Sequence, residues 1–186
     1  MSIIDRGLSV TGPFIDAQPG RFRYNLRSRL RRLEGQGAVG FRTVSRPSDV
    51  RWALVALAEL HARRWQGQHT STIFSSSSAA RRFYADACIQ YAERGLLDLT
   101  LLELDGRPVA GSLGFVDRQT YYYYLPAFDP SLAALAPSSL LLAHLVERAY
   151  ERGLSRFDFM LGDEPYKAEL GGRQVEVVEV SLRQRP

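Results

Sequence analysis

Four consecutive tyrosines, Tyr121 to Tyr124, constrain this chain more than any other feature. Aromatic side chains pack well on a pleated, half-buried surface, so the run reads as a strand. A proline-punctuated loop follows, with Pro126, Pro130 and Pro137. Leu141, Leu142, Leu145, Val146 and Ala149 then share one helical face, and Gly153 stops that helix. Phe157 to Met160 reads as a second buried strand. Strand, loop, helix, strand is a crossover unit, which makes its two strands parallel. The loop and the helix start then lie at the carboxyl end of the first strand, where open sheets bind ligands. A helix N-terminus there offers free N–H groups and a positive dipole end, which suit a phosphate.

The rest of the chain supplies a sheet for this unit. Residues 1–20 carry Gly7, Gly12, Pro13, Pro19 and Gly20 without periodicity and read as an arm or linker; residues 21–186 read as one domain. Val39 to Ser45 is a short strand. Pro47 to Trp65 is a helix with Val50, Leu54, Leu57, His61 and Trp65 on one stripe. Residues 66–77 are polar and serine-rich: either a lid or a plain connection. Ala79 to Arg94 is the next helix, with Phe83, Ala87 and Tyr91 four apart. Leu96 to Leu104, a hairpin at Asp105-Gly106, and Pro108 to Val116 lead into the tyrosine strand. After a Gly171-Gly172 turn, Gln174 to Leu182 alternates as a last strand. The fold class is therefore α/β of the α+β kind: a mixed, mostly antiparallel sheet, flanking helices, and a parallel splay around a crossover helix.

Composition excludes several functions. The hydrophobic content of 45% is enough for a packed core, yet no run approaches the roughly 18 apolar residues of a membrane span. Met1 to Val10 has no basic region followed by an apolar one, so no signal peptide is expected. The single cysteine, Cys88, precludes an internal disulfide, reads as a core thiol and fits a reducing cytoplasm. No Cys/His cluster has zinc spacing, and no metal is expected. The net charge of +4 is modest but unevenly spread. Arg21, Arg23, Arg27, Arg29, Arg31 and Arg32 crowd a stretch without an acid, on a helix whose Phe22, Leu26, Leu30 and Leu33 recur at helical spacing. That stretch is either a solvated face or an anion site for a phosphorylated substrate, RNA or an acidic membrane.

This element order resembles the GNAT acyltransferase fold. The stretches His61 to Trp65 (HARRW), Leu104 to Val109 (LDGRPV), Tyr123 to Asp129 (YYLPAFD), Phe157 to Phe159 (FDF) and Gly162 to Lys167 (GDEPYK) resemble a branch labelled cellulose-biosynthesis-associated acetyltransferases, as does the arginine-rich Phe22 to Leu33. The match covers roughly residues 12–182 and corresponds to the C-terminal half of longer members. The resemblance implies acyl transfer from acetyl-coenzyme A, or another acyl-coenzyme A, to an amine or a sugar hydroxyl of a small-molecule or polysaccharide-related acceptor. It also implies a cofactor lying in the splay, beside Leu125 and Ala127. Two other classes compete: a Fem-type aminoacyl transferase using aminoacyl-tRNA, and a non-catalytic binding module of the same fold.

Family phosphate loops carry spaced glycines; here Leu135 to Ser139 has none, leaving the backbone N–H groups of Ser138, Ser139 and Leu140 to hold a pyrophosphate. Aminolysis of a thioester needs a base for the amine and an acid for the thiolate. Asp158, between Phe157 and Phe159, is either the base (or its orienter) or a structural partner of Lys167, His61 or an arginine. His61 lies on an apolar stripe and is either a core histidine or a catalytic group. Tyr166 stands where the resemblance puts a tyrosine acid. Asp163, Glu164 and Lys167 form either a tight polar turn or a substrate site, with Arg64 and Trp65 as further substrate contacts. Strand alternation pairs Tyr121 with Tyr123 and Tyr122 with Tyr124. Periodicity leaves open which pair lines the cleft; Tyr122 and Tyr124 are the substrate-facing candidates.

Overall fold

The computed structural model describes residues 1–5, 14–44, 46–65, 77–162 and 164–177. Among these residues seven strands form one sheet in the order β2-β3-β4-β5-β6-β1-β7. They are β1 (Ser2–Asp5), β2 (Val39–Val44), β3 (Leu97–Leu104), β4 (Arg107–Asp117), β5 (Thr120–Phe128), β6 (Arg156–Asp158) and β7 (Arg173–Gln174). All neighbours pair antiparallel except β5 and β6. The helices are α1 (Gly20–Glu34), α2 (Pro47–Arg64), α3 (Ser78–Glu93), α4 (Pro137–Glu151) and α5 (Pro165–Glu169). The crossover unit is thus β5-α4-β6, as the proline loop and the leucine-rich face predict.

Two apolar clusters cover the two faces of the sheet. Leu140, Leu141, Leu145, Val146 and Ala149 of α4 bury Tyr121, Tyr123 and Phe157, with α1 laid alongside through Leu26, Leu30 and Leu33. Val50, Leu54, Leu57 and Leu60 of α2, with Ala85 and Cys88 of α3, cover Leu99, Leu101, Leu113 and Leu125. With helices on both faces, β3 is buried along its length rather than alternating. The row Phe83–Ala87–Tyr91 does not face the core. Phe83 is 68% exposed, and Ala85 and Cys88 carry the buried stripe instead.

One buried charge ties α4 to the sheet. Asp98 accepts from Thr100 Oγ1 at 2.8 Å, Arg148 Nη2 at 3.1 Å and Arg152 Nη1 at 3.0 Å. A carboxylate out of water is costly unless so partnered. Gly114 answers a second constraint: a Cβ there would stand 2.5 Å from the Tyr121 hydroxyl.

Two expectations at the chain ends need correction. Within the expected arm, Ser2–Asp5 is a strand inserted between β6 and β7, with Ile3 and Ile4 buried. Four residues are too few to show a period, and their partners lie more than 150 positions away. Of the last expected strand, Arg173–Gln174 is paired among the described residues and the Val175 N–H reaches the Met1 carbonyl at 2.8 Å, while residues from 178 onward lie outside them. The serine-rich loop over 66–76 lies outside them too; Ser77 caps α3, accepting from the Ala80 N–H at 3.0 Å.

Candidate active site

The site originates in a defect of β5. Its register with β4 shifts between Leu113 and Gly114, so that Leu113 faces Leu125 while Gly114 faces Tyr123. Tyr124 is the extra residue. Before it Tyr121 and Tyr123 point to the α4 face; after it Leu125 and Ala127 point to the α2 face. A bulge of this kind bends the strand and adds twist. Parallel pairing with β6 ends at Tyr122, opposite Asp158. Beyond that point β6 keeps β1 as its neighbour, with the Phe159 N–H donating to the Ser2 carbonyl at 2.9 Å. The strands splay, and Pro126, which has no N–H, stands on the part of β5 that β6 has left.

A cleft of about 480 Å³ fills the splay. One wall is the end of α2: His61, Arg64 and Trp65. The floor is Tyr123, Tyr124, Leu125 and Pro126. The start of α4 contributes Pro137, Ser138 and Ser139, and the rim carries Glu164 and Tyr166. The Arg64 guanidinium lies 5.2 Å from the Trp65 ring centre and 5.0 Å from that of Phe128, and it donates to the Pro126 carbonyl at 3.5 Å. Asp129 anchors the entry loop by pairing with Arg63 at 3.1 Å and accepting from Ser131. The loop itself is a short 3-10 helix, Pro130–Leu135, followed by Ala136 in the left-handed region (φ 51, ψ 50).

The titrating groups of the cleft are tuned in opposite directions. Burial, then the negative Glu164, pushes the Tyr166 phenol up to about 12, with Arg64 opposing. Burial, then Arg64, lowers His61 below the usual imidazole value. Lys167, then the other neighbours, holds the Glu164 carboxyl below its ordinary range despite desolvation. Tyr123 is pushed well up by burial and by Tyr166. At neutral pH the cleft therefore presents protonated phenols, a neutral imidazole, one carboxylate and one guanidinium.

The expected site residues divide. His61, Arg64, Trp65, Tyr124, Leu125, Ser138, Ser139, Glu164 and Tyr166 come together in the cleft. Tyr122, Ala127, Leu140, Asp158 and Lys167 are not among its lining residues. Asp163 lies outside the described residues. Among the described residues Asp158 forms no ion pair with Lys167 or an arginine. Its carboxylate accepts the Met160 N–H at 2.7 Å and holds the turn after β6, where Met160 has φ 61. Lys167 is spent inside the following turn. Its Nζ donates to the carbonyls of Leu161 at 2.8 Å and Gly162 at 3.2 Å, and meets Glu164 Oε2 at 2.7 Å. Gly162 leaves room for that carboxylate, since a Cβ there would lie 2.5 Å from it. Leu140 and Ala127 are core residues. The first turn of α4 is also partly used: the Ser139 and Leu140 N–H groups both reach the Ala136 carbonyl, at 3.0 and 3.3 Å. Tyr123, Pro126 and Phe128 were missed as lining residues, although a proline inside a strand is a signal of an unpaired edge.

Among the described residues no helix is long and apolar enough to cross a membrane, and no cluster of His, Cys, Asp and Glu could hold a metal ion. A family model described as an acetyltransferase (GNAT) domain matches residues 20–168. No curated protein matches. Solved structures are similar at low identity. An aminoglycoside acetyltransferase from an uncultured soil metagenomic sample, in complex with sisomicin, is 14% identical, with a TM-score of 0.54 over 78% of this chain and 97% of that one. The C-terminal domain of a putative lysylphosphatidylglycerol synthetase from Agrobacterium fabrum is 16% identical, with a TM-score of 0.61 over 92% of this chain and 56% of that one. FemX is 14% identical, with a TM-score of 0.60 over 92% and 58%. The chain thus spans little more than half the length of the last two.

Proposed function

Because the chain belongs to the GNAT acetyltransferase family, we propose that it moves an acetyl or other acyl group from acyl-coenzyme A to an amine, or a sugar hydroxyl, of a glycan-related acceptor. The observation that carries the reading is the splay. A cleft of about 480 Å³, within the usual range of ligand sites, opens where β5 leaves β6 and faces the start of α4. The donor fits this site, because β5 offers a strand edge without a neighbour and the Ser138 N–H heads the helix. The donor supplies an acyl thioester open to attack by an amine.

The chain's own groups handle the protons. Burial keeps Tyr166 protonated at neutral pH, so that its O–H can donate a hydrogen bond to the departing sulfur as that sulfur takes up a proton. His61, kept neutral by burial and by Arg64, takes the proton of the attacking amine. Asp158 has no part in this scheme. The rings of Trp65, Tyr123, Tyr124, Phe128 and Tyr166 line the cleft, which suits a sugar ring more than a polycation, and the only carboxylate among the described lining residues is already paired with Lys167. A polysaccharide-related acceptor also agrees with the cellulose-associated resemblance of the GDEPYK stretch. In this reading the enzyme works in the cytoplasm, which its one buried, free cysteine suits.

The likeness to FemX and to the synthetase domain favours a second reading, with aminoacyl-tRNA as the donor. Calorimetric titration separates the two. Binding of acetyl-coenzyme A, weakened by Arg64→Glu, supports the first. No heat with acetyl-coenzyme A, together with salt-sensitive binding of aminoacyl-tRNA, refutes it in favour of the second.

A further inference from the structure

We propose that the outer face of α1 binds single-stranded nucleic acid. This inference stands apart from the acyl-transfer reading and does not depend on the donor used. Helix α1 carries six arginines and no acid before Glu34. Among the described residues none of the six forms an ion pair. Arginines with nearby acids do pair in this protein, as Arg63, Arg148, Arg152 and Arg156 show. The unpaired charge on α1 is therefore concentrated, and concentrated positive potential attracts a polyanion.

The geometry of the face chooses the polyanion. Tyr24, Arg27 and Arg31 lie at i, i+3 and i+7 and form one outward stripe, flanked by Arg21 and Arg32. All four of these arginines are exposed, and Tyr24 is 66% exposed, an aromatic ring standing among cations. Guanidinium groups for phosphates and a ring for base stacking are what single strands use. A lipid surface takes a different helix. An interfacial helix buries its apolar face in the bilayer. Here Phe22, Leu26, Leu30 and Leu33 are already packed against the core. The same packing places α1 directly behind the cleft, since Phe22, Leu26 and Arg29 share a small cavity with Ser139, Leu142 and Tyr166.

The test is fluorescence anisotropy of the full chain with labelled 12-nucleotide oligo(U) and oligo(dT) at low salt, followed by a salt titration. Binding is expected with both, with a log–log salt slope of about −0.7 for each phosphate neutralised. The variant Arg27→Glu/Arg31→Glu should bind at least tenfold more weakly and lose about 1.4 from that slope. Tyr24→Ala should lose about fivefold or more. Arg81→Glu/Arg82→Glu, which makes the same change in net charge on α3, should bind like the parent. Absence of binding at low salt overturns the proposal. So does equal loss in the α3 control, or an unchanged Tyr24→Ala. Binding to phosphatidylglycerol vesicles without binding to either oligonucleotide overturns it in favour of a membrane. Circular dichroism checks the folding of each variant; if the glutamates unfold the chain, Arg27→Gln/Arg31→Gln carries the same test.

Discussion

Replacing Lys167 by methionine isolates what holds Glu164 and Tyr166 at the mouth of the cleft. Lys167 is 2% exposed and makes three polar contacts, to the Leu161 and Gly162 carbonyls and to Glu164. Methionine keeps the packed stem and removes all three. Hydrogen bonds to charged groups contribute about 1.5–3 kcal/mol each when buried. The partners here are not buried: Leu161 and Gly162 are exposed residues and the Glu164 side chain is 52% exposed, so water replaces much of the loss. The expected net cost is about 2 kcal/mol, or about 4–8 °C in Tm for a chain of this size. The pH dependence carries the sharper signature. Glu164 has a depressed pKa in the folded state, caused first by Lys167. Its contribution is therefore full above the ordinary glutamate value, roughly 4.3, and is lost as pH falls through the lowered folded value. Thermal melts of parent and variant should differ most at pH 7, and the gap should narrow by the Glu164 share as the pH drops below about 4, leaving what the two carbonyl bonds contribute. A gap that stays constant across that window, or no gap at pH 7, would refute the strut assigned to Lys167.

Tyr166→Phe should lower turnover about 100- to 10,000-fold while leaving coenzyme A affinity and Tm nearly unchanged, measured by thiol release and calorimetry; full activity would remove Tyr166 as the acid. The acid limb of kcat/KM should lie below 6.5, because burial and Arg64 lower His61, and Arg64→Gln should move that limb to higher pH by removing one of the two causes. Cys88, 1% exposed and with its thiol pushed up to about 11 by burial, should not react with a disulfide reagent at pH 8 until the chain unfolds. Rapid labelling of the native protein would contradict its place on the buried face of α3, against α2 and the sheet.

The crossover unit was legible because its signals are local. A tyrosine run, a leucine-rich helical face, a terminating glycine and an apolar strand each speak within one element, and their order implies the parallel pair. β1 was not legible, because Ser2–Asp5 becomes a strand only through partners at the far end of the chain. The exposed aromatic row of α3 is a related case. Phe83 and Tyr91 repeat at helical spacing, but Ala85 and Cys88 are the residues small enough to sit against α2 and the sheet.

Within the site, the same division decides which residues could be assigned. Of the polar stretch before Lys167, Glu164 and Tyr166 reach the cleft, while Asp163 lies outside the described residues. What the pattern did not show was direction. Asp158 and Lys167 are both charged groups in an apolar setting, and burial demands a partner for each. Each has one nearby: the Met160 N–H two residues on, and carbonyls five and six residues back. Local backbone groups out-compete a long-range carboxylate–ammonium pair, because they need no further ordering of distant chain. In the proposed scheme the base is therefore His61 rather than Asp158, and His61 lines the cleft from α2. His61 does so only because the bulge at Tyr124 turns β5 away from β6 and opens the floor beneath it. One extra residue in a strand, invisible to an alternation count that treats Tyr121 to Tyr124 as regular, is what joins a helix end, a helix start and a polar turn into one site.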